Sequence, residues 1–510
     1  MKACDVALYS LVVCAIFSVL SVLSWYTLSP LSNGPPMWIR SDNRDLTDTN
    51  GWNWGFTYRT KAATIEMPAT AAELKSLIKR AKHVRVVGGG HSFSPLVRTS
   101  EMLVDLRHFD QITVGETNVT VGGGTKIRHL QHKLLQHNKV VHGFGGGTHH
   151  QSVAGGISTN LHGAQNCLFA DFVLAMTIMT ADGEIVTVAD GDLFHAAKSG
   201  LGQVGVITQV VLRTHTRTCL KISSSRVSIE ESIDILHGEH AAAEFKTSGF
   251  ASDGSRTGVL TTYAAVRTCP IDYDLHNYRD MALAYASDNW LMPAQVLLMP
   301  LVGNTPFFHH VLTRAHASTD GDVVGVENGW RADIAPMFGQ VYTEYSVPTE
   351  NCFQVMRDLK ATSDDLGVMI SGMTLKPLPA ESGTLLAYAP TKSCALEVYY
   401  LPCQRKMKVM LAAAQNIVYE ASGRSHLGKV YIPNKRPIYE RLYSDNAYNR
   451  TVSVYDPTGL FRMQPFTYEV NYDELYVRAA LFRTLVAIAA IAAIVAVGAA
   501  IAHTRKTANV

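Results

Sequence analysis

The sequence has 510 residues, of which 47% are hydrophobic and 17% are charged, with 45 Lys and Arg against 43 Asp and Glu. This length exceeds one ordinary domain, and the hydrophobic content excludes a disordered chain. The formal charge of +2 provides no basic surface for a polynucleotide, so we expect no nucleic-acid partner.

An apolar run without any charged residue, VALYSLVVCAIFSVLSVL, extends from Val6 to Leu23. Its length is sufficient to span a bilayer, and the SWYTLSP sequence that follows differs from the small-residue cleavage site of a secretory signal. We therefore predict an N-terminal membrane anchor over residues 1–28. A cleaved signal and an organelle-targeting presequence are the alternatives.

A second run, TLVAIAAIAAIVAVGAAIA, extends from Thr484 to Ala502 and is apolar on every face, which disfavours a buried core helix. It predicts a C-terminal transmembrane helix over residues 482–503. If both runs span, the positive residues Lys2 and Arg505 are expected on the cytoplasmic side, with the body across the membrane. We expect an endomembrane rather than a mitochondrial location, with membrane lipid as a partner.

Two further features bear on the compartment of the body. Glycosylation-type triplets begin at Asn118 and Asn449, although such triplets also arise by chance. The eight cysteines include no CxxC pair and no regular framework. We therefore expect no metal site and no disulfide scaffold. The default expectation is buried or idle thiols, with at most one or two bridges if the body is lumenal.

After a linker over residues 29–47, short β-branched runs alternate with helical stretches, which predicts an α+β unit over 48–218. Thr70 opens the predicted helix TAAELKSLIKRA, and KIRHLQHKLLQHN predicts a second helix. HVRVVGGGHS, MLVDL and ITVGETNVTVGGG read as strands that end in glycine-rich turns. The run VLAMTIMTADGEIVTVA predicts a hairpin that turns at Ala181-Asp182-Gly183.

Aromatic and β-branched residues predominate in the next region, and a second domain is predicted over 219–476. The runs GVLTTYAAVRT, FGQVYTEYSV and SCALEVYYL predict strands of an antiparallel sheet. Two glycine-containing segments follow, HLGK at 426–429 and DPTGLF at 456–461.

Two glycine-rich loops are the strongest chemical signal of the body. The first, residues 87–94, follows a strand, and the second, GFGGGTHHQSVAGG at 143–156, lies about sixty residues further on. Glycines let backbone N–H groups crowd around an anion, so the two loops together could close on one long diphosphate ligand. Neither loop fits the G-x-G-x-x-G or the Walker pattern, and plain turns between strands are the alternative.

Four motifs in order carry a resemblance to a known family: Trp52-Asn53-Trp54, GGGHS at 88–92, SVAGGISTNLHG at 152–163 and LGQVGVIT at 201–208. The chain resembles the vanillyl-alcohol-oxidase-type flavoproteins, and within them the sugar-1,4-lactone and alditol oxidases. HLGK and DPTGLF are weaker matches to the same group. The resemblance implies an α+β fold in which a PCMH-type FAD-binding domain precedes a substrate (cap) domain with an antiparallel sheet, flanked here by N- and C-terminal membrane helices.

The resemblance also implies roles for individual residues. His91 stands where many members bond the flavin covalently, and an imidazole is a suitable nucleophile near neutral pH. Gly146 resembles a small gatekeeper position that leaves oxygen a path to the flavin. FAD binding is implied for these positions: Gly88, Gly89, Gly90, His91, Ser92, Phe93, Gly146, Ser152, Gly155, Gly156, His162, Gly163, Val206 and Ile207.

Catalytic roles are implied for Lys429, whose cation would stabilise charge on the reduced flavin, and for His426, which would orient the lysine or pack against it. The family's Glu-x-Arg substrate motif is absent from the corresponding region, Val368 to Pro377. Three charged residues could replace the motif, although the pattern favours solvated strand residues for each of them: Lys376, Glu381 and Glu397.

The leading hypothesis is therefore an FAD-dependent enzyme that oxidises an alcohol carbon of a sugar-1,4-lactone and passes the electrons to oxygen. An alditol or polyol oxidase, a dehydrogenase that uses a membrane electron acceptor, and a catalytically degenerate flavoprotein are the alternatives. A metal-binding module is disfavoured because its candidate ligands lack any regular spacing with carboxylates. Those candidates are His142, His149, His150 and His162.

Overall fold

The computed structural model describes residues 53, 57–144, 150–240, 242–247, 257–266, 323–326, 341–368, 370–400, 404–432 and 446–464. The helices of these ranges are α1 Ala71–Arg80, α2 Ile127–Leu135, α3 Val153–Ser158, α4 Asp192–Ala197, α5 Ile229–Leu236, α6 Cys352–Leu366, α7 Met407–Glu420 and α8 Asn446–Tyr455. The strands up to residue 213 are β1 Thr64–Glu66, β2 Val84–Val87, β3 Met102–Asp105, β4 Ile112–Val114, β5 Asn118–Gly122, β6 Lys139–Val140, β7 Val173–Met179, β8 Ile185–Val188 and β9 Val206–Arg213. The strands that follow are β10 His215–Thr216, β11 Cys219–Ser228, β12 Ala242–Thr247, β13 Thr257–Val266, β14 Val323–Val326, β15 Val341–Pro348, β16 Ile370–Leu378, β17 Ser393–Tyr400 and β18 Arg424–Ser425.

The N-terminal unit contains a parallel three-stranded sheet in the order β1-β3-β2 and an antiparallel five-stranded sheet in the order β4-β5-β9-β7-β8. Helix α1 begins where predicted, because the Thr70 side chain accepts a hydrogen bond from the Glu73 N–H at 3.2 Å. Its buried residues pack against the parallel sheet. The predicted hairpin is also confirmed, since β7 and β8 pair antiparallel across the Ala181–Gly183 turn.

The second glycine loop is shorter than predicted. Its last residues, Val153 to Gly156, form the start of helix α3, and the Ser152 side chain caps that helix by accepting from the Gly155 N–H at 3.1 Å. Ser152 is a good capping residue, and this preference outweighs the low helix propensity of the two glycines that follow. Residues 145–149 of the loop lie outside the described residues.

The C-terminal part forms an eight-stranded sheet in the order β14-β11-β13-β12-β16-β17-β15-β18, and its central pairs are antiparallel. Apolar side chains alternate along β15, β16 and β17 on one face, where helices α5, α6 and α7 cover them in one core. A disulfide between Cys352 and Cys394 joins α6 to β17, which is within the one or two bridges expected. The opposite face carries polar and charged residues, and these residues form much of the site described below.

The last described segment returns to the N-terminal unit. Tyr448 of α8 packs in the core below the five-stranded sheet, and Leu460 and Phe461 pack with α1 and the parallel sheet. The buried guanidinium of Arg85 donates hydrogen bonds to the carbonyl oxygens of Leu96, Leu201 and Phe461. Residues distant in sequence therefore complete the first core.

The α+β class is confirmed, and the antiparallel sheet predicted for the second region is present. Both predicted membrane segments, 1–28 and 482–503, lie outside the described residues. Within the described ranges, no helix combines the length and the apolarity needed to cross a bilayer. The predicted domain boundaries at 48–218 and 219–476 stay predictions.

Candidate active site

The two glycine loops lie against each other. A Cβ atom added to Gly88 would lie 2.0 Å from the Ser152 Oγ, and one added to Gly89 would lie 2.0 Å from the His150 carbonyl oxygen. Glycine is required at both positions because any side chain would separate the loops. The contact places the start of helix α3 directly beside the first loop.

The first loop is also bonded to the HLGK segment. The Phe93 N–H donates to the Gly428 carbonyl oxygen at 2.7 Å, and the Ser94 hydroxyl donates to the carbonyl oxygen of Leu427. On its other side, the buried Asn53 amide donates to the Ser92 carbonyl oxygen at 2.9 Å. Residues from three separate motifs thus meet at positions 92–94.

Glu344 is the centre of the polar cluster next to these loops. Its side chain is 2% exposed and it accepts hydrogen bonds from His162 Nε2, from the Tyr342 hydroxyl at 3.1 Å and from the Tyr388 hydroxyl at 3.2 Å. The Lys429 ammonium lies 3.8 Å from the second carboxylate oxygen. A buried carboxylate with this many donors remains anionic.

The pKa values of the cluster follow from burial and from these neighbours. Burial opposes ionisation of Glu344, but His426, His162 and Lys429 hold its pKa well below the usual value. Burial lowers the pKa of His426 to about 4, so this ring is neutral at pH 7, and its Nδ1 accepts from the Gly428 N–H at 3.1 Å. Burial also lowers the pKa of Lys429, while the Glu344 charge opposes that effect.

Lys429 lies where the first glycine loop and the sheet meet. Its ammonium is 4.0 Å from the centre of the Tyr342 ring and 5.6 Å from that of Phe93. The side chain of Lys429 is 21% exposed, so it is neither fully solvated nor fully buried. A cation in this position can act on a ligand held by the loop.

A second charged cluster lies on the same face of the sheet. The Lys376 ammonium bonds a Glu397 carboxylate oxygen, and the Tyr399 hydroxyl donates to the other oxygen at 2.6 Å. The lysine side chain is 14% exposed and that of Glu397 is 6% exposed. The prediction that these two are solvated strand residues is wrong, because both side chains face the polar interior rather than solvent.

The same prediction is wrong for Glu381. Its carboxylate accepts from the Ala389 N–H at 2.6 Å and from the Asn160 amide at 3.3 Å. Burial raises its pKa to about 7. This carboxyl group ties the segment after β16 to the C-terminal end of helix α3.

Two family descriptions match the chain. Residues 62–189 match the FAD binding domain, and residues 303–468 match the D-arabinono-1,4-lactone oxidase family. The predicted resemblance is confirmed. The first match contains the glycine loops, and the second contains Glu344, the Lys376–Glu397 pair and the HLGK segment.

Curated relatives have related names. The L-gulono-1,4-lactone dehydrogenase of Mycobacterium tuberculosis is 31% identical over 195 residues, which are 36% of this chain and 45% of that protein. The D-arabinono-1,4-lactone oxidase of Candida albicans is 30% identical over 203 residues, 35% of this chain and 36% of the relative. The matched part therefore spans less than half the length of these two relatives. A longer alignment, 22% identical, covers 80% of this chain and 95% of the L-gulonolactone oxidase of Bos taurus.

Solved structures of cholesterol oxidases share the fold. One described as solvent-stable superposes with a TM-score of 0.60 at 16% identity and covers 80% of this chain and 95% of its own. The enzyme from B. sterolicum superposes with a TM-score of 0.62 at 14% identity, covering 83% and 96%. These superpositions confirm the predicted PCMH-type FAD-binding fold. The match of residues 62–189 to the FAD binding domain confirms the FAD cofactor.

The described loops fit this cofactor. Gly88, Gly90, His91 and Ser92 are half-buried, so the described residues around them do not seal this part of the loop. Neither residues 88–93 nor residues 150–156 include an acidic side chain that would repel a diphosphate. Backbone N–H groups, a serine hydroxyl and imidazoles are suitable donors for such a ligand.

The remaining predicted positions lie around the same loops. Gly156 is buried within helix α3, and Gly163 is buried next in sequence to His162 of the Glu344 cluster. His91 stacks on His150 with ring centres 6.1 Å apart. Val206 and Ile207 begin β9, where the Ile207 carbonyl oxygen would lie 2.1 Å from a Cβ on Gly123. Gly146 lies outside the described residues. The role of each position in binding FAD stays a prediction.

The histidines proposed for a metal module have different partners. His142 bonds the Gln165 amide at 3.3 Å, and His162 bonds Glu344, while His149 lies outside the described residues. His162, Glu344 and His426 do offer three ligand atoms within 4.8 Å of one another. Three protein donors and the Lys429 ammonium already satisfy Glu344, so we assign the group to an ion-pair cluster.

Glu344, Tyr342 and Tyr388 were not predicted from the sequence. For Tyr342 and Glu344 the signal is the alternation in VYTEYSVP, where Tyr342, Glu344 and Ser346 share one face and the intervening residues the other. This alternation usually indicates a strand with one solvated face. Only the sheet's contact with His162 and the HLGK segment reveals that the polar face is covered.

Proposed function

We propose that the protein is an FAD-dependent oxidase that acts on an alcohol carbon of a sugar-1,4-lactone, with oxygen as the acceptor. The observation that supports this proposal most is the position of Lys429, which lies over Phe93 of the first glycine loop and beside the Glu344 carboxylate. The names of the relatives matched by the two halves of the chain point to the same chemistry.

FAD, when bound, supplies the acceptor for the hydride that leaves the alcohol carbon. The residues of the chain then orient the substrate and balance charge. Lys429 places a positive charge beside the loop that holds the cofactor, and Glu344 fixes the position of that charge. Neutral His426 supports the HLGK backbone through its bond to Gly428, which keeps Lys429 aligned.

The test of this proposal is anaerobic mixing of the holoprotein with a panel of sugar-1,4-lactones and alditols. We expect at least one lactone to bleach the flavin absorption within seconds, and re-admitted oxygen to restore the absorption. Bleaching by alditols alone would favour a polyol oxidase. Bleaching without reoxidation by oxygen would favour a dehydrogenase, and no bleaching by any compound would favour a degenerate flavoprotein.

We also propose that the chain is anchored to an endomembrane at one or both ends. The support for this is the charge-free runs Val6–Leu23 and Thr484–Ala502, together with the positive residues outside them. Membrane lipid is then a partner, and a membrane electron acceptor is the alternative to oxygen.

A further inference from the structure

The polar face of the eight-stranded sheet has two adjacent centres of charge, at Glu344 and at the Lys376–Glu397 pair, and a further ion pair, Lys246–Glu244, on β12. In the register of β16, β17 and β15, Thr374 lies opposite Glu397 and Glu397 lies opposite Glu344. Lys376 is two residues from Thr374 and therefore on the same face. The Lys376–Glu397 pair is thus the neighbour, one strand away, of the cluster around Glu344.

Two stacked tyrosines connect the centres. The rings of Tyr342 and Tyr399 are 4.8 Å apart and nearly parallel, at 8°. The Tyr342 hydroxyl donates to Glu344, and the Tyr399 hydroxyl donates to Glu397. Both tyrosines are half-buried, so the described residues do not seal either ring from this face.

Gly372 leaves space beside Tyr399. It lies opposite this tyrosine in the register, and a Cβ added to it would have its nearest contacts at 3.4 Å and 3.9 Å. Gly372 is not one of the described glycines whose φ is positive, so its backbone does not lie in the left-handed region. Neither strain nor crowding by the described residues requires glycine here, and the position leaves room for a carbon-sized group next to the Lys376–Glu397 pair.

A buried ion pair is a poor source of stability. Removing two charges from water costs several kcal/mol per ion, and apolar residues in the same place are often as stable. Burial raises the pKa of Glu397, Lys376 lowers it and the Glu344 charge raises it, and the net result is a lowered pKa that keeps the pair charged. Charged groups held in this way beside an open space are suited to bind a polar ligand.

We propose that Lys376, Glu397 and Tyr399 form a subsite that binds hydroxyl groups of a neutral, polyhydroxylated ligand in the space beside Gly372. The inference rests on the proposed function, and it assigns this subsite to the end of the sugar lactone that is remote from the oxidised carbon. Lys376 donates to a hydroxyl oxygen, while Glu397 accepts from a hydroxyl group.

The charges of the face define the ligand class. Lys376 and Lys429 balance Glu397 and Glu344, and Lys246 balances Glu244, so these charges of the face sum to zero. A neutral lactone leaves this balance unchanged, whereas the carboxylate of the hydrolysed, open-chain acid adds an unpaired negative charge. The closed lactone should therefore bind more tightly than the acid derived from it.

The experiment measures binding separately from turnover. Calorimetry on holoprotein reduced with dithionite gives the Kd of a lactone that the reduced flavin cannot oxidise. The Glu397→Gln variant should raise the Kd of the full lactone about tenfold, which corresponds to the loss of one hydrogen bond to a charged group. The matched control is Glu381→Gln, a carboxylate outside this face, which should leave the Kd within about twofold of the unchanged protein.

A shortened lactone without exocyclic hydroxyls distinguishes a binding role from a structural one. If Glu397 contacts those hydroxyls, the penalty of Glu397→Gln falls to less than about twofold with the shortened lactone. An equal penalty with both lactones would overturn the subsite. Gly372→Val, which fills the space and keeps every charge, should weaken binding of the full lactone in the same selective way, and it decides the question if Glu397→Gln does not fold.

The outcomes separate the subsite from the proposed function. An unchanged Kd in the Glu397→Gln and Gly372→Val variants would overturn the subsite even if the protein turns over lactones. Selective loss of binding in these variants would support the subsite even if the oxidised protein fails to react, and that failure would overturn the proposed function alone. Absence of binding by any lactone would overturn both.

Discussion

The charges of Glu344 and Lys429 each favour the ionised form of the other group, which burial disfavours. This coupling has a measurable consequence. Burial lowers the pKa of Lys429 and the Glu344 charge raises it. In Glu344→Gln the opposing charge is lost, so the pKa of Lys429 falls further. We expect a kcat at least about tenfold lower and an alkaline limb of the pH–rate profile at lower pH than in the unchanged protein.

The measurement is kcat and kcat/KM for the lactone across pH 6 to 10, a range of about four units. Glu381→Gln is the control, since that carboxylate bonds Ala389 and Asn160 instead of Lys429. An alkaline limb that stays in place in Glu344→Gln would exclude the coupling between Glu344 and Lys429.

His91 carries a second prediction at this scale. Its half-buried ring stacks on His150, within the loop that contacts Ser152 and helix α3. His91→Ala should abolish covalent flavin and leave some FAD bound, because the glycine contacts of the loop remain. Acid precipitation of the variant should leave yellow colour in the supernatant. Colour retained in its pellet would show that His91 is not the attachment residue.

Site residues could be predicted from the sequence where they belong to a recognisable motif. Phe93, His162, His426 and Lys429 were all predicted, and the structure brings them to one place. Glu344 could not be predicted, because a glutamate in an alternating strand has the same pattern whether its face is solvated or covered.

The DPTGLF segment bonds residues near the start of the body, since the Phe461 carbonyl oxygen accepts from Arg85, 376 residues away. The Asp456 carboxylate accepts from the Leu460 N–H at 2.7 Å and from the Phe461 N–H at 2.8 Å, which forms the turn that places both apolar side chains in the first core. Asp456→Ala should lower the free energy of unfolding by about 1–3 kcal/mol, because two buried N–H groups lose their acceptor.

Chemical denaturation, monitored through the release of flavin, measures this loss of unfolding free energy. Asp358→Ala is the matched control, because Asp358 lies on α6 and accepts only an exposed bond from Gln354 in the described contacts. A loss no larger than in that control would contradict a structural role for Asp456.

The segment after β16 gives a prediction about pH. Burial raises the pKa of Glu381 to about 7 from its ordinary 4.5, so the folded protein holds this proton where the unfolded chain has released it. Stability from this group is therefore full below the unfolded pKa and is lost as pH rises toward 7. Glu381→Gln should remove that loss and be more stable at pH 8, on the order of 2 kcal/mol, with little difference at pH 4.

Thermal unfolding at the two pH values provides the measurement. A gain in Glu381→Gln that is equal at pH 4 and pH 8 would refute titration of this carboxyl group as the cause.

At the level of elements, the sequence indicates strands and helices better than their arrangement. Thr70, the Ala181–Gly183 turn and the β-branched runs each predict a local structure that is present, because capping and turn chemistry act within a few residues. The order β12-β16-β17-β15 and the polar row across it depend on contacts between distant residues. No local pattern specifies that pairing.

The whole molecule provides a test of the membrane proposal. Asn449 is exposed on α8, whereas Asn118 is half-buried at the start of β5. If the body is lumenal, the Asn449 triplet should carry a glycan, and Asn449→Gln should remove most of the mobility shift that enzymatic deglycosylation produces. Asn118→Gln is the matched comparison, with a smaller effect expected. A chain that carries no glycan at Asn449 would argue against a lumenal body.

The packing of residues 446–464 against the N-terminal core has a consequence for biosynthesis. During translation, β2, α1 and Arg85 leave the ribosome long before Asp456, Leu460 and Phe461, which complete the core around them. The core of the cofactor-binding part therefore remains incomplete until almost the whole chain has been synthesised. Loss of the C-terminal fifty or so residues by premature termination should thus disable the half of the protein that was synthesised first.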